Sequence, residues 1–140
     1  MTIPAWVLFA FAIWTVLVLI ATIGVYRWRR ILAGTAGIAE FRYDAIEGQE
    51  DWYRRAMRAH GNCVENLPVY GAIVLALNWM GLDNRLLDAL AIVFIVARVC
   101  QTLVHVSFVE TNRTVSVRFS FFSVQIFIVL WMSAAVVVSQ

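Results

Sequence analysis

The chain has 140 residues, of which 62% are hydrophobic and only 14% charged, and its mean hydropathy is +0.79. Soluble domains are nearer about 45–50% apolar and about 25% charged, and a chain this short cannot enclose so much apolar surface, which sets a soluble globular domain aside. The net charge of +2 comes from arginines with no lysine among them; these read as membrane-topology signals and point to no nucleic-acid partner.

Four apolar runs follow one another, each near the ~20 residues that cross a bilayer. They predict spans at about 3–26, 51–80, 86–108 and 114–138, joined by a long loop at about 27–50. The expected fold class is all-α integral membrane, a four-transmembrane-helix bundle built as a single domain over 1–140. The first run carries Trp6 and Tyr26 at its ends, where interfacial aromatics belong. Nothing basic precedes it, it is longer than a signal-peptide h-region, and no small-x-small cleavage site follows, so it is expected to be retained as a membrane helix.

Seven arginines (Arg27, Arg29, Arg30, Arg42, Arg54, Arg55 and Arg58) lie between the first apolar run and the apolar part of the second helix, which begins at Asn62. The positive-inside rule then places this loop and the later one near Arg113 in the cytoplasm, with both termini outside. The all-arginine basic set and the compact length point to a bacterial inner membrane. Residues 31–50, with Gly34, Gly37 and Gly48, read either as a linker or as a lid or partner surface.

The second helix starts near Asp51, where acidic residues suit the positive end of the helix dipole. Running to Met80 it would be about 45 Å long, longer than the ~30 Å hydrocarbon core, so its first turns protrude on the cytoplasmic side. Pro68 should kink it or free one backbone carbonyl. Arg58, Asn62 and Glu65 recur at i, i+4, i+7, which puts them within roughly 60° of one another on a helix. An ionisable group facing lipid costs roughly 2.5–3.5 kcal/mol even on insertion scales, so this stripe must face other helices, water or a polar ligand. Cys63 beside it reads as an inert buried thiol or a reactive one. His60 and His105 have no partners at metal-ligand spacing.

The third helix carries Arg98, Gln101, Thr102 and His105 along one face, and the fourth carries Arg118 and Gln125, with Arg113 at its mouth. Glu65 is the carboxylate that a bundle interior would set against Arg98 as a structural ion pair. Surplus arginines, an Asn, a Glu and hydroxyls suit a small zwitterionic ligand bearing carboxylates: arginine grips carboxylate bidentately and a carboxylate holds an ammonium group. Glutathione has that chemistry, and a guanidinium beside its thiol would favour the thiolate. Other anionic ligands would suit the same set.

The segment Arg58-Ala59-His60-Gly61-Asn62-Cys63-Val64-Glu65-Asn66-Leu67-Pro68 resembles the Arg-Ala-x-x-Asn-x-x-Glu-x-x-Pro signature of the MAPEG family, the membrane-associated proteins of eicosanoid and glutathione metabolism. The likeness extends across the chain through four spans, a long first loop, an arginine within the third helix and an arginine near the start of the fourth. It is that of a bacterial-type member similar to microsomal glutathione transferases. The resemblance implies a homotrimer that binds glutathione as cosubstrate between neighbouring subunits, toward the cytoplasmic face, with a lipophilic second substrate and membrane lipids around it.

Carried over by position, Arg58, Asn62 and Glu65 would bind the tripeptide, with Gln101 and His105 as further contacts. Either Arg118 or Arg113 would stabilise the thiolate, Arg118 being favoured because a charge inside an apolar run needs a reason. Asn66 and His105 depart from the aromatic residues common at those places in the family. The implied function is a glutathione transferase or peroxidase acting on lipophilic electrophiles or lipid hydroperoxides, with no metal. The alternatives are a non-catalytic lipid-binding or scaffold protein of the same fold, and a small transporter or channel component, against which the lack of inverted repeats argues.

Overall fold

The computed structural model describes residues 1–139. It contains four long helices: α1 (Ile3–Leu32), α2 (Asp51–Trp79), α3 (Arg85–Ser107) and α4 (Asn112–Val138). The protein is an all-α membrane bundle. By length and composition α1, α3 and α4 can each cross a membrane. The fourth helix, α2, is equally long but spends its first half on charged and polar residues.

Each helix end has a local cause. Thr2 caps α1 by accepting from the Ala5 amide, and its hydroxyl donates to Asn78 Oδ1 at 3.0 Å, tying the start of α1 to the end of α2. At the other end α1 runs six residues beyond the expected boundary, because Arg27–Leu32 contains no helix breaker and continues the helix. It stops at Gly34, whose φ of +68° makes the left-handed turn. The Thr35 and Gly34 amides there donate back to the carbonyls of Arg30 and Ile31, the pattern of a Schellman cap. The same pattern ends α2: Gly81 has φ +66°, and the Leu82 and Gly81 amides reach Leu77 and Asn78. Asn84 then caps α3 through Leu87 N, and Thr111 with Thr114 forms a reciprocal cap on α4. Helix α2 continues without a break through Pro68.

Two apolar clusters hold the bundle. In the first, the rings of Tyr70 and Phe94 stack at 4.2 Å and Phe11 meets both edge-on, with Val74, Leu77, Leu87, Ile128 and Met132 packed around them. In the second, Tyr26 stacks on Tyr53 at 4.6 Å and Phe41 is buried against them. Phe41 comes from the segment read as a linker or lid. That segment forms two 3-10 turns, Ile38–Phe41 and Tyr43–Gly48, and is packed onto the end of the bundle as part of its core.

Between the clusters lies a polar layer. Arg98 is 1% exposed on α3, and its guanidinium sits 5.5 Å over the Phe11 ring. Thr102, Gln101 and Gln125 are buried with it. Ala56, Ala59 and Cys63 form the buried stripe of α2 here, small residues that let helices approach closely. The expected Glu65–Arg98 pair does not form: Glu65 is exposed and Arg98 faces α1. Glu65 shares a face with Arg58 and Asn62, and α2 turns that face away from the α1 side to which Arg98 points.

Candidate functional site

Helix α2 delivers Arg58, Asn62 and Glu65 to one wall of a cleft of about 730 Å³ at the end of the bundle where the 3-10 segment packs. His105 from the last turn of α3, Glu110 from the short connection and Arg118 from α4 form the opposite wall, and Ile46 and Glu47 close one side. The volume lies in the range of small-ligand sites. Three guanidiniums (Arg54, Arg58, Arg118) and three carboxylates (Glu47, Glu65, Glu110) line it, so the cleft is matched to a ligand that carries both signs of charge.

The polar contacts form a chain across the cleft. Arg58 Nη1 donates to Glu110 Oε1 at 2.8 Å, and Arg118 Nη1 donates to the same oxygen at 3.1 Å. Arg118 Nη1 also approaches His105 Nδ1 at 2.8 Å, and the Asn62 amide stands 3.3 Å from His105 Nε2. A guanidinium has only donors, so His105 Nδ1 accepts and the ring proton sits on Nε2. The structure sets Asn62 Nδ2 against that nitrogen; with the ring proton on Nε2 the network assigns the flipped amide, whose oxygen accepts. His105 is thereby a spacer that holds Arg118 in a fixed position relative to α2.

Electrostatics follow the same geometry. Partial burial opposes ionisation of Glu110, but the hydrogen bonds from Arg118 and Arg58 outweigh it and hold its carboxyl below the ordinary carboxylate value. Arg118 is 12% exposed in its side chain, whereas Arg58 is 56% exposed; the first is a built-in cation of the wall and the second a solvent-facing arm over the mouth.

Gln101 does not line the cleft. It is buried behind it, where its Nε2 donates to the Arg118 carbonyl at 3.3 Å and its Oε1 accepts from Gln125 Nε2 at 3.0 Å. This pair fixes the turn of α4 that carries Arg118 against α3. Arg113 is exposed on the first turn of α4 and outside the cleft. Five residues separate it from Arg118, which on a helix is a rotation of about 140°, so the two arginines cannot share one wall. Cys63 is fully buried with its sulfur 3.7 Å from Thr102 Oγ1, away from the cleft.

Glu110 escaped the reading of the sequence. A single acid in the turn Val109-Glu110-Thr111 has no periodicity to mark it, and its partner Arg58 is 52 residues away. Arg54 was noted only as a topology charge; it lines the cleft while paired with Asp51 at 3.1 Å.

The sequence matches the MAPEG family over residues 5–138, nearly its whole length. No curated protein and no solved structure matches it.

Proposed function

The chain belongs to the MAPEG family, and from that premise we propose that it is a glutathione-dependent transferase, with peroxidase activity toward lipid hydroperoxides. The observation that carries this reading is the convergence of Arg58, Asn62, Glu65, His105 and Arg118 on one cleft of mixed charge. Glutathione brings two carboxylates, one ammonium and one thiol. Arg58 takes a carboxylate, Glu65 takes the ammonium, and Asn62 supplies amide hydrogen bonds.

Arg118 is the cation for the thiolate. It is largely desolvated and is anchored by His105 and by its Gln101-bound backbone, so it meets the developing anion without reorganising. The thiol proton leaves to solvent at the open mouth. The thiolate sulfur then forms a bond to the electrophilic carbon of the second substrate, whose leaving group departs. With a hydroperoxide the sulfur attacks the terminal oxygen, the O–O bond breaks and the alkoxide leaves, taking a proton from water as the alcohol; the thiol of a second glutathione then attacks the sulfenic sulfur and expels water, giving the disulfide.

The apolar outer faces of the helices, which include Trp6, Phe9, Phe127 and Trp131, meet lipid and neighbouring copies in a homotrimer. The cleft, open along the exposed Val64–Glu65 edge of α2, is completed by the next subunit. By the positive-inside rule, Arg27, Arg29 and Arg30 at the end of α1 support a cleft that faces the cytoplasm, and the location that goes with this reading is a bacterial inner membrane.

The test is calorimetric glutathione binding to the detergent-purified protein, wild type beside Arg58→Ala, with turnover of 1-chloro-2,4-dinitrobenzene and of a lipid hydroperoxide. Binding that weakens sharply in the variant, with turnover in the wild type, is the expected outcome. Binding without turnover favours the lipid-binding or scaffold alternative, and no binding at millimolar glutathione overturns the proposal.

A further inference from the structure

The geometry points to Glu110 as an internal competitor for the ligand: its carboxylate occupies the place between Arg58 and Arg118 that an anionic group of the ligand takes, and binding proceeds by displacing it. This inference rests on the proposed glutathione site.

Glu110 Oε1 lies 2.8 Å from Arg58 Nη1 and 3.1 Å from Arg118 Nη1, and so bridges the cation of α2 to the cation of α4 across the cleft. Both guanidiniums are those the ligand needs, Arg58 for a carboxylate and Arg118 for the thiolate. With Glu110 in place, the point between these two cations is already filled by the protein's own carboxylate. Ligand anions that take Arg58 and Arg118 cannot settle while Glu110 bridges the two, because anions brought to one point repel.

The surroundings allow the exchange. Glu110 belongs to the short non-helical connection between Ser107 and Asn112, and its side chain is 37% exposed, so on release it regains water rather than being buried unpaired. Arg118 keeps its 2.8 Å contact with His105 Nδ1 and its place on the Gln101-pinned turn. The wall therefore stays in shape when the bridge opens. Arg58 has no other hydrogen bond or ion pair among the described residues, so no further contact of its own has to break when its anion is exchanged. A support residue would look different: its loss would leave Arg118 unheld, whereas here His105 does the holding.

Selectivity follows. Only a ligand that carries its own anion can open the bridge, so a neutral lipophilic substrate alone leaves Arg58 and Arg118 engaged. Glutathione entry comes first and prepares the cleft for the second substrate.

The decisive experiment is glutathione binding by calorimetry for wild type, Glu110→Gln, Arg58→Ala and the double variant, each checked for a cooperative thermal unfolding transition in detergent. Exposed ion pairs are individually weak, and removal of two together is expected to tighten the Kd of Glu110→Gln roughly three- to tenfold over wild type. In the Arg58→Ala background the gain from Glu110→Gln should shrink, because one arm of the bridge is already gone. Wild-type binding with equal or weaker binding in Glu110→Gln overturns the competitor role and leaves the glutathione reading intact. Absence of binding in both overturns the glutathione reading and the competitor role with it.

Discussion

Replacing Arg118 and Arg113 separately by alanine isolates the cation that acts on the thiol. Arg118 is 12% exposed, and its Nη1 makes contacts of 2.8 and 3.1 Å within the cleft. A hydrogen bond to a charged group in such a setting is worth about 1.5–3 kcal/mol. At about 1.4 kcal/mol per factor of ten, its loss lowers kcat/KM for glutathione conjugation about 10- to 150-fold. Arg113 is exposed and off the cleft, and surface replacements of that kind stay within about 0.5 kcal/mol, about twofold in rate.

The assay is steady-state conjugation across pH, with the thiolate followed by ultraviolet difference absorption. A neighbouring cation favours thiolate over thiol, so removing Arg118 moves the acid limb of the kcat/KM profile to higher pH, while removing Arg113 leaves it in place. An equal or larger loss in Arg113→Ala, or an acid limb unmoved in Arg118→Ala, refutes the assignment.

Two further outcomes are expected. Gly81→Ala meets no atom within 4 Å at its new Cβ, so its whole cost is the left-handed backbone at φ +66°, about 1–2 kcal/mol, read as a lowered unfolding midpoint in detergent; an unchanged midpoint refutes the cap. For Glu110, whose carboxyl is held below its reference value of 4.5 in the fold, the stabilisation is complete above that value and disappears as pH falls through the lower folded one. Wild type should therefore lose thermal stability more steeply than Glu110→Gln between about pH 6 and about pH 3, and parallel curves would refute the bridge.

Much of the architecture was legible in the residues. A mean hydropathy of +0.79 over 140 residues leaves a membrane as the solvent; hydrogen-bond closure in lipid leaves helices or closed barrels, and apolar runs of about 20 residues choose helices. The i, i+4, i+7 spacing of Arg58, Asn62 and Glu65 assigned them to one face before any helix was placed, because that relation depends only on the 3.6-residue turn. The reach of α1 to Leu32 was less visible, since amphipathic Arg27–Leu32 carries no apolar run to extend the pattern.

Periodicity says which residues share a face and nothing about what that face meets. That depends on the rotation and register of one helix against another, and here packing of Phe11, Tyr70 and Phe94 decides it. Tertiary structure alone turned Glu65 to the cleft and Arg98 to Phe11, put Gln101 behind Arg118, and set Arg113 outside. It alone brought Glu110 across 52 residues to Arg58. An ion pair at that separation has no local signature, because it is made by the fold of the whole bundle and by no repeat in the chain.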